Sequence, residues 1–359
     1  MNSARVGIIG INGKYGRCLE GFFKTIQQES RLVDRVIGSD IGTTLTSHEL
    51  VRNVDVVVVA VPPRVTVEVI EEIASYLSET QLIMDVTSIK VAPVQAMMQS
   101  CAEVVGLHPM CAPPRNFSWQ GQIIVVCPGR LFFWQQWLND MLRLTGARLK
   151  YCTPSEHDKH MAVVQGLVHA TELMMASAIR RGDIQVAESL TFTSPVYRIA
   201  LSLMGRILNQ DPHLYADIQM LNPPVAQMLR HAADSMNDLA TMVEGRDYEA
   251  FMAEFMKNRD HMGSTVLQDS FDLFELISQL LTDHASTDQI TLEVEHDRPG
   301  ILRDIAAIFA EEGINLLSWH SFRAGSRVRF RIGCDRVPTS VEMMRVISYI
   351  IDDKLAIVV

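Results

Sequence analysis

Over the first 150 residues, short apolar runs alternate with amphipathic stretches. The runs are ARVGIIG, LVDRVIGSD, VDVVVVAVPP, QLIMDV, EVVGLHP, QIIVVCP and GARLKYC. Runs apolar on both faces, separated by crossover helices, predict a mostly parallel sheet covered on both sides. The fifth run stops at Gly106 and sets His108 against a proline. At TPSEHD the texture changes: Thr153 can cap a helix, Pro154 suits its first position, and Glu156 completes a capping box. A long helix is expected from there. Residues 154 to 282 are rich in Met and Leu and helical in pattern, interrupted by TSP (193–195), QDP (210–212) and NPP (222–224), where each proline can open a new helix. So many apolar helical faces predict an all-α domain that buries them partly by dimerising. The polar stretch TDHAST, 282 to 287, is expected to end it.

The last 70 residues read as a separate unit. Ile290, Leu292 and Val294 alternate to one face of a strand, as do Val328, Phe330 and Ile332. Helical stripes are expected at Leu302, Ile305 and Phe309 and at Met344, Ile347 and Ile351, before the final LAIVV. The order β-α-β-β-α-β predicts a ferredoxin-like module. The expected division is 1–152 for the sheet domain, 153–282 for the helical domain and 288–359 for the last module.

Composition narrows the class. With 359 residues, 48% hydrophobic and 21% charged, the chain has a soluble globular make-up with room for two or three domains. A net charge of −10 and a pI near 5.6 oppose binding to nucleic acid or an anionic membrane, so an anionic ligand would need local arginines. The six cysteines are scattered without a Cys-x-x-Cys pair, which suits reduced thiols. No apolar run approaches the roughly 20 residues that cross a bilayer. The start, MNSARVGIIG, lacks a signal-peptide pattern, and a cytoplasmic protein is expected.

The candidate chemistry begins after the first strand. Gly10, Gly13 and Gly16 stand at a strand-to-helix turn, where glycine allows a tight turn and close approach of a pyrophosphate to the helix N-terminus. Ile11 takes the position of the usual first glycine, and Lys14 and Tyr15 complete the loop. Asp40 closes the second strand, placed to accept from an adenosine ribose and to repel a 2′-phosphate; this Rossmann-like arrangement favours NAD over NADP. The alternative for Asp40 is a solvated loop aspartate. Val61 and Pro62 end another central strand and would line the nicotinamide side, although Pro62 equally serves as a strand stop.

Ser88 and His108 are expected on neighbouring loops at the C-terminal ends of strands, where open α/β sheets place ligands. A neutral imidazole there can take a proton from a hydroxyl; a structural histidine is the competing reading. His157 and His160 have the spacing of metal ligands without a supporting Cys or Glu-x-x-His pattern, so solvated or gating roles are expected and no metal. Arg198 and Arg206 lie eight residues apart on one apolar helical segment and can face one side. Each suits a bidentate carboxylate, with an internal salt bridge as the alternative.

GLHPM downstream of SIK, followed by EHDKHMAVVQGLVHA and SPVYRIALSLMGRILNQDPHLYADI, resembles the prephenate/arogenate dehydrogenase family of tyrosine biosynthesis over about residues 4 to 280. DRPGIL and EEGINLLSWHS resemble an ACT domain, a small-molecule sensing module. The resemblance implies NAD-dependent oxidative decarboxylation of prephenate to 4-hydroxyphenylpyruvate, with arogenate or 4-amino-4-deoxyprephenate as alternative substrates. A non-catalytic sensor of NAD and an amino acid is a further alternative. The resemblance also implies roles for single residues. His108 would accept the ring hydroxyl's proton, Ser88 would bond that hydroxyl and orient the histidine, and Arg206 would grip the ring carboxylate. His169 would line the side-chain end of the substrate, His157 the pocket entrance and Tyr215 the pocket wall. Asp297, Pro299, Gly300 and Asn315 would hold an aromatic amino-acid effector, unless the module serves only dimerisation. The family often continues HPM with Phe-Gly-Pro; here Cys111, Ala112 and Pro113 follow. No mutase-like segment precedes the first strand, so mutase activity is not expected.

Overall fold

The structure, a computed structural model, describes residues 3–114, 117–285, 289–294, 296–324 and 327–359. Its N-terminal half is built on β1 (Ala4–Ile9), α1 (Lys14–Glu29), β2 (Val33–Ser39), α2 (Ser47–Arg52), β3 (Val56–Val59), α3 (Pro63–Ala74), β4 (Leu82–Asp85), α4 (Val91–Met97), β5 (Glu103–Pro109), β6 (Ile123–Arg130), α5 (Gln135–Leu144) and β7 (Arg148–Tyr151). All seven expected runs form strands of one sheet, ordered β2-β1-β3-β4-β5-β6-β7. The pairs are parallel except β5 with β6, so the last two strands run against the first five. Alternate residues of the central strands supply two cores. Ile8, Val56, Val58 and Met84 pack with Phe22, Phe23 and Trp137 on one face, and Ile9, Val57, Val59 and Ile83 with Ile70 and Ile73 on the other. Burial on both faces is why these strands read as continuous apolar runs.

One strand differs from expectation. β5 passes through Gly106 and ends at Pro109, so His108 is a strand residue opposite Val125 of β6. Gly106 does not stop the strand. A Cβ there would lie 2.9 Å from Lys90 Cδ and 2.9 Å from Val94 Cγ2, so the glycine makes room for a lysine buried beneath the strand.

The helical segment opens as its caps predict. Thr153 accepts the Glu156 N–H at 3.2 Å, and Glu156 accepts the Thr153 N–H at 2.8 Å. Helix α6 (Pro154–Met161) continues through a π-helical turn (Ala162–Leu167) into α7 (Val168–Arg181). These 28 residues have a mean hydropathy of 1.3 in their most apolar window, enough by length and composition to cross a membrane, contrary to the expectation that no run comes close. The same helix carries hydrogen-bonded polar side chains into the fold, as described below. After α8 (Val186–Ser189), three prolines begin α9 (Pro195–Leu208), α10 (Pro212–Met220) and α11 (Pro224–Gly245); α12 (Tyr248–Met262) and α13 (Ser264–Ala285) follow. Thr282 to Ala285 therefore belong to α13 instead of a hinge, and Ser286 and Thr287 lie outside the described residues.

The chain divides into two compact units, 1–191 with 200–247 and 192–199 with 248–359. The sheet and helices α6 to α11 fall in the first, apart from the start of α9. The second contains β8 (Gln289–Val294), α14 (Ile301–Glu311), β9 (Leu316–Ala324), β10 (Arg327–Cys334), α15 (Val341–Asp352) and β11 (Ile357–Val358), in an antiparallel sheet ordered β11-β8-β10-β9. The six alternating strand residues are buried as expected. On α15 the buried stripe is Met343, Val346 and Ile350, one position ahead of the expected one, while Met344 and Ile351 are exposed. On α14, Ile301, Ile305, Ile308 and Phe309 are buried and Leu302 is exposed.

Candidate active site

The turn between β1 and α1 forms a cradle. Gly10 has φ 88°, and a Cβ on it would stand 2.7 Å from the Ala60 carbonyl oxygen and 2.9 Å from Val61 Cγ1. A Cβ on Gly16 would collide with the Gly10 carbonyl. Gly13, the N-cap of α1, brings no side-chain acceptor, so the first N–H groups of the helix remain for an anion. Asp40 lies just past β2; one carboxylate oxygen accepts the Asn12 N–H at 2.8 Å and the other the Ile41 N–H at 2.7 Å. It braces the glycine turn and stays half-buried at its edge. Ile11 is tolerated where glycine is usual because Gly38 leaves the space its side chain fills. Lys14 is exposed at the helix start, and Pro62 is the exposed N-cap of α3. These residues fit the pyrophosphate and ribose of a dinucleotide. Tyr15 does not join them: its hydroxyl donates to the Cys111 carbonyl, tying α1 to the loop after β5, and burial raises its pKa so that it stays a donor. Cys111 thus enters the architecture through its backbone.

Beneath β5 lies a buried ion pair. Lys90 Nζ donates to Asp85 and to the Leu107 carbonyl, the latter at 2.8 Å, and both charged side chains are 0% exposed. Thr87 donates to the same Asp85 oxygen through its N–H at 3.0 Å and its hydroxyl at 2.7 Å. Helix α6 meets this floor through Asp158, which accepts the Lys90 N–H at 2.8 Å and the Val91 N–H at 2.9 Å at the start of α4. Asp158 Oδ1 also lies 2.7 Å from His157 Nδ1, and His157 Nε2 lies 2.8 Å from His108 Nδ1. The order of donors fixes the tautomers. A carboxylate receiving three N–H groups only accepts, so His157 carries its proton on Nδ1. With both rings neutral, His157 Nε2 then accepts from His108 Nδ1–H, and the free lone pair of His108 sits on Nε2. Gln165, in the π turn, brings its amide nitrogen to 3.4 Å from that Nε2. Burial, then the neighbouring His157 and Lys90, lowers the His108 pKa well below 6.5, which keeps the ring a proton acceptor.

Two expectations change here, and three residues join the site. His157 is not at an entrance or solvated; it is buried and is the direct partner of His108. Ser88, half-buried, does not orient the imidazole, because both ring nitrogens already meet His157 and Gln165. Asp158, Gln165 and Lys90 were not singled out from the sequence, although Asp158 adjoins His157 and Lys90 follows Asp85 by five residues at a strand end.

The other candidate residues lie on helices α6 to α10. His169 stacks edge-on against buried Tyr215, with centroids 5.0 Å apart and planes at 79°. Burial, then the charge of Arg206, lowers the His169 pKa. The Arg206 guanidinium is exposed and has no ion pair among the described residues. Arg198, half-buried near the start of the same helix, is already engaged and falls in the other compact unit. His160 is exposed.

In the second unit, Asp297, Pro299 and Gly300 line a surface pocket of about 690 Å³ with Arg298, Phe322 and Phe330. Gly300, with φ 89°, caps α14 in the left-handed region, which explains the Pro-Gly turn. Asn315 does not line this pocket; its N–H donates to Asp335 at 3.1 Å.

Residues 24–151 match the prephenate dehydrogenase nucleotide-binding domain, residues 153–258 the prephenate dehydrogenase dimerization domain, and residues 289–342 the ACT domain. The T-protein of Haemophilus influenzae is 30% identical over 260 residues, covering 72% of this chain and 67% of its own length. The chain belongs to the prephenate dehydrogenase family. A probable arogenate/prephenate dehydrogenase of Methanocaldococcus jannaschii is also 30% identical, over 287 residues, 75% of this chain and 64% of that protein. The chain thus spans about two thirds of the length of these curated relatives. Among solved structures, the fold is shared with the prephenate dehydrogenase of Aquifex aeolicus in complex with hydroxyphenyl propionate and NAD+ (TM-score 0.54, 19% identity, 72% of this chain and 96% of that one). It is shared too with Synechocystis arogenate dehydrogenase (TM-score 0.53, 18% identity, 72% and 100%). The family match begins at residue 24, past the glycine turn in which Ile11 departs from the usual pattern.

Proposed function

We propose that this member of the family catalyses NAD-dependent oxidative decarboxylation of a cyclohexadienyl acid of the prephenate type, giving 4-hydroxyphenylpyruvate from prephenate. The observation that carries this reading is the chain Asp158–His157–His108, which leaves an unprotonated Nε2 at the end of a central strand. NAD, which the glycine turn and Asp40 would hold, would supply the hydride acceptor for ring C4. His108 Nε2 takes the C4 hydroxyl proton, and His157, held by Asp158, keeps the ring oriented by accepting from its Nδ1–H. Departure of the C1 carboxylate as CO2 leaves its electron pair in the ring, which becomes a phenol and takes the proton back from His108. Asp40, braced against the glycine turn, supports selection of NAD because its carboxylate repels a 2′-phosphate.

Arg206, exposed and without an ion pair among the described residues, holds the ring carboxylate in this account. A charge-assisted hydrogen bond contributes about 1.5–3 kcal/mol, so Arg206→Ala is expected to raise KM on the order of 10- to 100-fold with kcat little changed. The same variant should raise the His169 pKa, readable by NMR titration, because a nearby positive charge is gone. An unchanged KM would remove Arg206 from the carboxylate site.

The division into 1–152, 153–282 and 288–359 and assembly as a homodimer belong to the same proposal, supported by the match to the dimerization domain. The pocket at Asp297 to Gly300 is proposed to take an aromatic amino-acid effector. Tyrosine or phenylalanine bound there should raise Tm, since a ligand selective for the folded state stabilises it; no shift with either would leave the module a structural one.

A further inference from the structure

One face of the α6–α7 helix carries polar side chains whose buried atoms have no partner. Gln165, His169 and Glu172 are spaced i, i+4 and i+7, so they stand in a row. Gln165 Oε1, His169 Nδ1 and Glu172 Oε2 are each buried without a hydrogen bond. The row starts at the catalytic imidazole, since Gln165 reaches His108 Nε2. It passes His169, against which Tyr215 packs edge-on. It ends at Glu172, the single buried residue of α7, 8% exposed and without an ion pair among the described residues. Such a buried carboxylate with no donor is costly unless a cation completes it.

At about 1.5 Å per residue, Glu172 lies about 10 Å along the helix from Gln165. In the functional reading above, with the hydroxyl at His108 and the ring carboxylate at Arg206, the C1 side chain of a cyclohexadienyl acid would run along this row. Arg206 answers the negative charge of a carboxylate there. Glu172 has the opposite requirement, for a positive donor, and the pyruvyl side chain of prephenate has none. The alanyl side chain of arogenate does, in its α-ammonium.

We propose that Glu172 receives the α-ammonium of an aminated side chain, so that arogenate is preferred over prephenate. This rests on the functional reading above and names the side-chain form of its substrate. Glu172 does not touch the reacting atoms. Its effect should therefore fall on discrimination between substrates and leave the shared chemistry unaltered.

The test is steady-state NADH formation by the full-length protein with arogenate and with prephenate, for wild type, Glu172→Gln and Glu172→Asp. Wild type should favour arogenate in kcat/KM. Glu172→Gln should lose on the order of 10- to 100-fold with arogenate while prephenate turnover holds or rises, and Glu172→Asp should recover part of the loss. A wild-type preference for prephenate overturns the proposal even if Glu172→Gln fails to fold. Equal losses with both substrates, or a change in dimer stability with the ratio intact, overturn it in favour of a carboxylate completed by the second subunit. Turnover of neither substrate contradicts the functional reading as well.

Discussion

His108→Asn is expected to lower NADH formation by about 10²- to 10⁴-fold, the usual contribution of a positioned general base, while NAD still binds. Asparagine can keep a donor toward His157 but has no basic nitrogen to offer the substrate hydroxyl. The pH profile gives an independent readout. The base works unprotonated, and burial, His157 and Lys90 set its pKa well below 6.5. Wild-type kcat/KM should therefore hold as pH falls through 6.5 and decline only below it, where His108 gains its proton. That acid limb should be absent from the residual activity of His108→Asn. Near-normal turnover by the variant would end the case for His108 as the base.

The second large effect is on stability. Lys90→Met removes the cation from a pair that is 0% exposed on both sides and leaves Asp85 buried with only the Thr87 donors. Breaking a buried pair from one side costs about 3–5 kcal/mol, a large part of the stability of an ordinary domain. Adding Asp85→Asn should restore part of it, because the stranded charge is then gone, so the double variant should lose less than the two singles combined. Denaturant unfolding of the four proteins checks this, and additive losses would contradict it. Where Lys90→Met remains folded, the His108 acid limb should move to higher pH, because one of the charges opposing imidazolium formation has been removed.

Much of the fold was legible because it rests on local signals. Seven apolar runs, the Thr153 capping box and three helix-opening prolines each act within a few residues and appear where expected. Gly106 misled because a glycine inside a strand reads as a stop, whereas here it accommodates Lys90, sixteen residues earlier in the chain. The α15 stripe slipped by one because two adjacent apolar sets share the same spacing, and periodicity alone cannot choose which one meets the sheet.

The site divided along the same line. His108, Arg206 and the glycine turn stand in recognisable local settings. The Asp158–His157–His108 chain joins the second turn region of a helix to a strand 49 residues away, so no spacing announces it. Glu172 escaped notice for a related reason: on sequence it is one more polar position of a long helix, and only its burial without a partner makes it unusual.

The most direct test of the account is the stoichiometry of the wild-type reaction. Incubation with NAD and either prephenate or arogenate should release one CO2 for each NADH formed, with 4-hydroxyphenylpyruvate or tyrosine as the product, and NADP should serve poorly in place of NAD. NADH formation without CO2 release, or no NADH with either acid, would contradict it.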